Sequence, residues 1–395
     1  MIVNELFDVS VFRDGKVLDI EPSNIKLTLH ESIHSLYPTA KLVINDVTGM
    51  LRDNFFGIEG FSLSFSLNNT QMTSITTGDF VVYQNDYDQT NKSRLMTGDL
   101  VLDMVHDYYS VQEVKSEAYK NRISSILPDL IDNYPFSKID KNDTGSKSTW
   151  YRMFSTQKDF IEQVLLPNAY SDNANESPFF SFITLSNEFH FNNYKYMTQQ
   201  STRLTLEYKP VQEQTLSPYI IYKLKPLYVG SKKHKHLRNE NYYTRDKETG
   251  VYEFEELKLA EFPKNTKTSK KLPAIYDDSL VTSCTAIGFS KEEVGEKEAL
   301  KARIRYQQKD GLFIERYQIT TILNQELVVG KTVTIDVYVP SSNGVTASRV
   351  QSDDFLIEDC IHHWDGSNKK GSTECIVSRK FVTVPNTSLI KGSML

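Results

Sequence analysis

The sequence predicts a mainly β protein with an α+β portion: two small antiparallel β-barrel-like domains, a middle α+β domain and a charged insertion. Three observations carry that expectation. Apolar and polar residues alternate between short turns up to about residue 113, the apolar spacing turns helical from about 114, and alternation resumes after 204. At 395 residues the chain is long for one core, which favours about two to four domains. The expected division is 1–113 for the first barrel domain, 114–203 for the middle domain, and 204–230 with 272–385 for the second barrel domain. Residues 231–271 form the charged insertion and 386–395 a C-terminal tail.

In chain order, "LFDVSVF" and "VLDI" flank Arg13-Asp14-Gly15-Lys16, a hairpin signal. "IKLTLHES" and "TAKLVIND" follow as strands. "FSLSFSL" alternates strictly, with Phe61, Leu63, Phe65 and Leu67 on one face. "GDFVVYQNDY" and "GDLVLDMVHDYY" complete about seven strands, a count that suits a small barrel or sandwich. Ile123, Ile126, Leu127 and Leu130 then fall at helical spacing over 122–134, with Pro128 limiting or kinking the helix. A second helix is expected over 155–170, with Ser155 as its cap and Phe160, Val164 and Leu165 on its stripe. "PFFSFITLSNEFHFNN" reads as two strands around a Ser-Asn turn.

Strands return in "LTLEYKPV" and "YIIYKLKPL". The insertion is basic and poor in aliphatics, with a modest strand or helix in "VYEFEELKLAEF", and reads as a solvated loop before it reads as a contact surface. A helix is expected over 290–311, where Ser290 and Glu293 fit a capping box and Gly311 stops it. "LFIERYQITTIL", "ELVVGKTVTIDVYVP", the turn "SSNG" and the hairpin 357–377 close the second β region.

Composition removes several classes. The chain is 39% hydrophobic and 24% charged, an ordinary globular balance. A net charge of −6 argues against a dedicated nucleic-acid binder. Three cysteines, Cys284, Cys360 and Cys375, are too few and odd in number for a secreted disulfide framework. The N-terminus lacks the pattern of a signal peptide and no apolar run is long enough for a membrane helix, so a soluble protein made in a reducing cytoplasm is expected.

Motifs with catalytic meaning resolve to blander readings. Gly330-Lys331-Thr332 ends like a phosphate-binding loop, but position 325 is Gln and the following residues alternate as a strand. Asp277-Asp278 and Asp353-Asp354 sit beside turns, where carboxylates cap amides. The richest stretch is "IEDCIHHWDGSNKKGSTECIV" (357–377). Strand alternation sends His362 and His363 to opposite faces, leaving at most Cys360, His362 and Cys375 as a zinc trio, one ligand short of a structural site. A redox pair of Cys360 and Cys375 is the other alternative, and ordinary hairpin packing is preferred. No catalytic, cofactor-binding or metal-binding residue is therefore assigned.

Part of that stretch recurs. "VLDMVHDY" (101–108) aligns without gaps to "IEDCIHHW" (357–364), and Gly60 and Gly330 each precede apolar residues at the third, fifth and seventh following positions. Two matches in the same order suggest two related β domains.

This organisation resembles the baseplate hub protein of contractile-tailed bacteriophages of the T-even type, with relatives in type VI secretion spikes. "IKLTLHESIHSLYPTAKLVINDVTGML" resembles the opening of the first hub barrel, and "FSTQKDFIEQVLLPNAY" with "PFFSFITLSNEFHFNNY" the middle domain. "ALKARIRYQQ" with "LVVGKTVTIDV" and the hairpin "DFLIEDCIHHWDGSNKKGSTECIVSRKFV" resemble the second barrel. The likeness covers most of the chain as an architecture, without a diagnostic motif.

The resemblance implies a non-enzymatic virion protein in the tail baseplate, assembled in the host cytoplasm. It implies a homotrimer in which three chains present six near-equivalent barrels to the sixfold tail tube and hold a central spike or tail lysozyme. Other implied partners are baseplate wedge proteins and the tape measure protein. DNA passes the lumen only in transit, which the acidic balance suits, and no membrane insertion is implied. The alternatives from other classes are a cell-wall-degrading tail enzyme and a receptor- or carbohydrate-binding tail protein.

Overall fold

The computed structural model describes residues 6–13, 16–18, 20–46, 61–68, 75–89, 98–145, 147–171, 177–202, 204–209, 217–229, 240–245, 252–257, 284–287, 306, 309, 313, 315–341, 344–347 and 352–379. The expected helix over 290–311, apart from residues 306 and 309, lies outside these residues, as do the 386–395 tail and most of the charged insertion.

Seven strands make the N-terminal sheet: β1 (Leu6–Arg13), β2 (Lys16–Leu18), β3 (Ile25–Ser32), β4 (Thr39–Asp46), β5 (Phe61–Asn68), β6 (Ile75–Gln89) and β7 (Gly98–His106). Their order across the sheet is β3-β4-β7-β6-β5-β1-β2, antiparallel throughout. In the first hairpin Arg13 stands opposite Lys16. Alternation places Leu27 and Leu29 of β3, Leu42 and Ile44 of β4, and Leu100, Leu102 and Met104 of β7 in one apolar core.

The middle region is α+β, as its spacing predicts. It contains β8 (Lys115–Asn121), β9 (Lys138–Lys141), β10 (Ser148–Ser155), β11 (Phe179–Ile183) and β12 (Glu188–Asn193). β8 and β10 form a ribbon, while β11, β12 and β9 form a three-stranded sheet. The helix Ile123–Leu130 keeps Pro128 inside it and buries Ile123, Ile126, Leu127 and Leu130. The second helix begins at Gln157, and Thr156 caps it in place of Ser155: its Oγ1 accepts from the Asp159 amide at 3.1 Å and donates to the Asp159 carboxylate at 2.8 Å. It passes through a π turn, Ile161–Leu165, where the Leu166 amide donates to the Ile161 carbonyl, just before Pro167, which has no N–H to continue the ladder. A further helix, Tyr194–Gln199, which the sequence reading missed, is capped by Asn193 accepting from the Tyr196 amide at 2.8 Å.

The C-terminal half contains β13 (Thr205–Tyr208), β14 (Lys223–Val229), β15 (Glu240–Arg245), β16 (Tyr252–Leu257), β17 (Cys284–Ile287), β18 (Glu315–Ile322), β19 (Thr332–Ser341), β20 (Gly344–Ala347), β21 (Asp353–Asp365) and β22 (Lys370–Arg379). β15, β16 and β17 form a small separate sheet, so "YEFEEL" in the insertion is a strand. The remaining order is β14-β18-β22-β21-β19-β13, with β20 hairpinned onto β19.

That order repeats the N-terminal one. β3-β4-β7-β6-β5-β1 and β14-β18-β22-β21-β19-β13 match position by position, both in space and in chain order. β13 departs in direction, lying parallel to β19 where β1 is antiparallel to β5. Even the irregularities agree: one bulged residue interrupts β6 at Tyr83 and another interrupts β21 at Glu358. The internal repeat is thus present, but the alignment of 101–108 with 357–364 is corrected. β7 corresponds to β22 and β6 to β21, because strand order and pairing define equivalence where short apolar patterns coincide by chance.

The barrel-like expectation is also refined. Among the described residues the ladders close no barrel; β21 pairs with β3, and the two halves become one 14-stranded sheet.

Candidate functional site: the joint at β21

The stretch that looked most chemical in sequence is the strand that joins the halves. β21 uses its two ends differently. Its first residues, 353–356, pair with β19; its last, 359–365, pair with β3, from Asp359 opposite Ser32 to Asp365 opposite Lys26. Phe355, Leu356, Ile357 and Cys360 pack in the C-terminal core, while Trp364 enters the N-terminal core beside Leu27 and Leu29. Ile33 makes the reverse crossing and packs in the C-terminal core.

Glu31 holds three parts of the chain together. Its carboxylate, 2% exposed, accepts the Leu185 amide at 2.8 Å and the Val329 amide at 3.0 Å. Leu185 lies in the β11–β12 turn and Val329 in the segment before β19. Burial pushes the Glu31 carboxyl up to about 7 although both amides pull it down.

Beside it, the Cys360 and Cys375 sulfurs stand 2.9 Å apart across the β21–β22 ladder, both buried. His362 Nδ1 is 2.9 Å from the Thr373 hydroxyl, and its Nε2 is 3.6 Å from the Cys360 sulfur. Glu31, Cys360 and His362 offer ligand atoms within 4.8 Å of one another. Glu31 is the group that ligand counting along the hairpin missed, and nothing local signals it. Burial raises the Cys360 thiol well above its usual range and lowers His362 to about 4. A metal would need the Cys360 thiolate, which burial disfavours, and would share each Glu31 oxygen with the amide it already accepts. His363 faces the other way, with Nδ1 3.2 Å from the Thr28 hydroxyl, as alternation predicts.

The bulged Glu358 forms a second lock. Its fully buried carboxylate takes a two-pronged contact from Arg316 at 2.9 and 2.5 Å, and His34 Nε2 lies 3.1 Å away. The Glu358 carbonyl accepts the Ile33 amide at 2.9 Å, so the bulge ties to the N-terminal half through both backbone and side chain. On the exposed side, burial pushes the Asp359 carboxyl up but hydrogen bonds from His30 and Ser32 outweigh it, holding the group below the usual carboxylate range.

Gly330 answers the phosphate-loop question. It sits at φ +74° where a Cβ would come within 2.4 Å of the Phe182 ring, and Thr332 opens β19. Glycine is there for backbone conformation and close approach. Of the acid pairs, Asp353 accepts the Asp354 amide at 2.9 Å and Asp354 accepts from the Thr334 hydroxyl at 2.8 Å; Asp277-Asp278 lie outside the described residues.

No family model and no curated protein matches the chain. Solved structures do. A tail protein from Neisseria meningitidis MC58 is similar at TM-score 0.58 and 11% identity, covering 94% of this chain and 96% of that one. The 43 kDa tail protein of prophage MuSo2 from Shewanella oneidensis is similar at TM-score 0.55 and 8% identity, covering 94% and 98%. A chain of the Francisella PdpA–VgrG complex is similar at TM-score 0.52 and 11% identity, covering 97% of this chain and 59% of that longer one. This chain has the fold of these tail and VgrG-complex proteins.

Proposed function

We propose that the chain is a structural tail hub of a phage virion, without catalytic activity. Three copies form a ring in the baseplate that adapts a sixfold tail tube to a threefold central spike and lets DNA through its lumen. The repeated strand order is the observation that carries this reading: one chain supplies the same six-strand unit twice. A threefold object meets sixfold symmetry when each chain offers its contact surface two times. The fold shared with two tail proteins, one of them from a prophage, supports the tail setting, and the fold shared with a chain of the PdpA–VgrG complex supports a role that seats a partner protein. The proposed partners are tube, spike or tail lysozyme, wedge and tape measure proteins, with assembly in the host cytoplasm.

Electron microscopy of the purified chain tests the reading. A ring with threefold symmetry, six lobes and a central opening is expected. Release of peptidoglycan fragments by the purified protein would overturn the non-enzymatic part and favour a cell-wall-degrading tail enzyme.

A further inference from the structure

The row where β3, β21 and β22 meet carries chemistry that packing alone does not use. Cys360 stands opposite Glu31 on β3 and opposite Cys375 on β22, so the three side chains share one face of the sheet. Both thiols pack in the C-terminal core, as the hairpin reading expects. Directly paired residues of an antiparallel ladder have Cα atoms roughly 4.5–5.5 Å apart, inside the range that a disulfide spans. The Cys360 and Cys375 sulfurs already lie 2.9 Å from one another. Two thiolates on one tetrahedral zinc would stand about 3.8 Å apart, so the contact suits a bond between the sulfurs better than shared ligation.

The groups around the pair fit an oxidation. The Cys360 sulfur is 3.1 Å from the Leu327 carbonyl and 3.6 Å from His362 Nε2. His362 Nδ1 is 2.9 Å from the Thr373 hydroxyl, which also accepts the Asn324 amide at 2.8 Å. With the ring proton at Nδ1 on that hydroxyl, Nε2 faces Cys360 as a proton acceptor. Burial holds the imidazole neutral at ordinary pH, which keeps that acceptor available. Both cysteines are fully buried, so bulky oxidants are excluded and a small one is required.

We propose that Cys360 and Cys375 are a redox lock, a dithiol while the chain is made in a reducing cytoplasm and a disulfide once a peroxide reaches it outside. The setting rests on the virion reading; the bond does not. Cys360 gives its thiol proton to His362 Nε2 and its sulfur attacks one peroxide oxygen. The O–O bond breaks, and the leaving hydroxide takes that proton as water. The Cys375 sulfur then attacks the Cys360 sulfenic acid, the S–O bond breaks, and hydroxide leaves as water with the Cys375 proton. Two thiols are oxidised and one peroxide is reduced to two waters. The bridge staples β22 to β21 on the row where β21 also meets β3, so it stiffens the joint between the halves.

Hydrogen peroxide added to the purified full chain carrying Cys284→Ser tests the lock. Peptide mapping without reductant is expected to link Cys360 to Cys375. The link should raise the thermal midpoint by roughly 5 °C, and dithiothreitol should return it. Cys375→Ala should show no such shift and should accumulate Cys360 sulfenic acid, trapped by dimedone. Cys360 and Cys375 recovered as free thiols, or carried to sulfinic acid without a link, would overturn the proposal. Stoichiometric zinc in the purified chain, lost with Cys360→Ser, would overturn it in favour of a metal centre. A bridge in a chain that never trimerises supports the pair and removes its virion setting; a trimer without the bridge removes the lock and leaves the hub reading.

Discussion

Glu31 is the residue on which the joint depends most. It lies 154 and 298 positions from the two amides it accepts, so no local pattern marks it, whereas the alternation that separates His362 from His363 is visible by inspection. Glu31→Ala leaves two buried N–H groups unsatisfied and should cost about 2–5 kcal/mol, read by urea unfolding. Glu31 also has a pH signature. Its folded carboxyl sits near 7, above the ordinary 4.5, so the native state holds that proton more tightly; the stability this gives is full below 4.5 and is lost as pH rises through about 7. His362 works in the opposite sense: lowered from 6.5 to about 4, it contributes stability that is present above 6.5 and lost as pH falls through about 4. His362 contributes equally to both proteins, so the wild type should lose stability relative to Glu31→Gln as pH rises from about 6 to 8 in stepped-pH unfolding. An unchanged slope would remove Glu31 as its source. Arg316→Ala strands the buried Glu358 carboxylate and should cost about 3–5 kcal/mol, whereas loss of an exposed pair such as Lys115–Glu113 should cost little.

At the scale of elements, strands with strict alternation and short polar turns were legible, and β3, β4, β5, β7 and β19 fall where their patterns predict. Other features depend on contacts that the local sequence does not announce. The helix Tyr194–Gln199 reads like more aromatic strand until the Asn193 cap is seen. Equivalence within the repeat went to the wrong strand pair, since apolar spacing carries no information about which edge a strand will meet. That β21 would leave its own half and pair with β3 was equally invisible. Trp364 is the side chain that crosses with it, and Trp364→Ala should cost about 3–5 kcal/mol and loosen the N-terminal core, seen as faster amide exchange in β3 and β4. The β8–β10 ribbon carries a different signal. Phe154 is 86% exposed at φ +43°, at a register break, with Tyr151 and Met153 also exposed. Phe154→Gly should raise stability by about 1 kcal/mol by relieving the left-handed backbone, checked by thermal unfolding.

For the whole molecule, one sheet assembled from two copies of a six-strand unit makes a chain with a built-in internal joint. That geometry supports the ring reading more strongly than any single residue does, and it gives "IEDCIHHW" a mechanical meaning as the strand that couples the halves. The most direct measurement is the mass of the purified chain by size-exclusion light scattering, over a wide concentration range. The account predicts a particle three times the 45.4 kDa chain, sharpening as concentration rises. A particle of one chain mass at every concentration, unchanged when tail-tube protein is added, would contradict it.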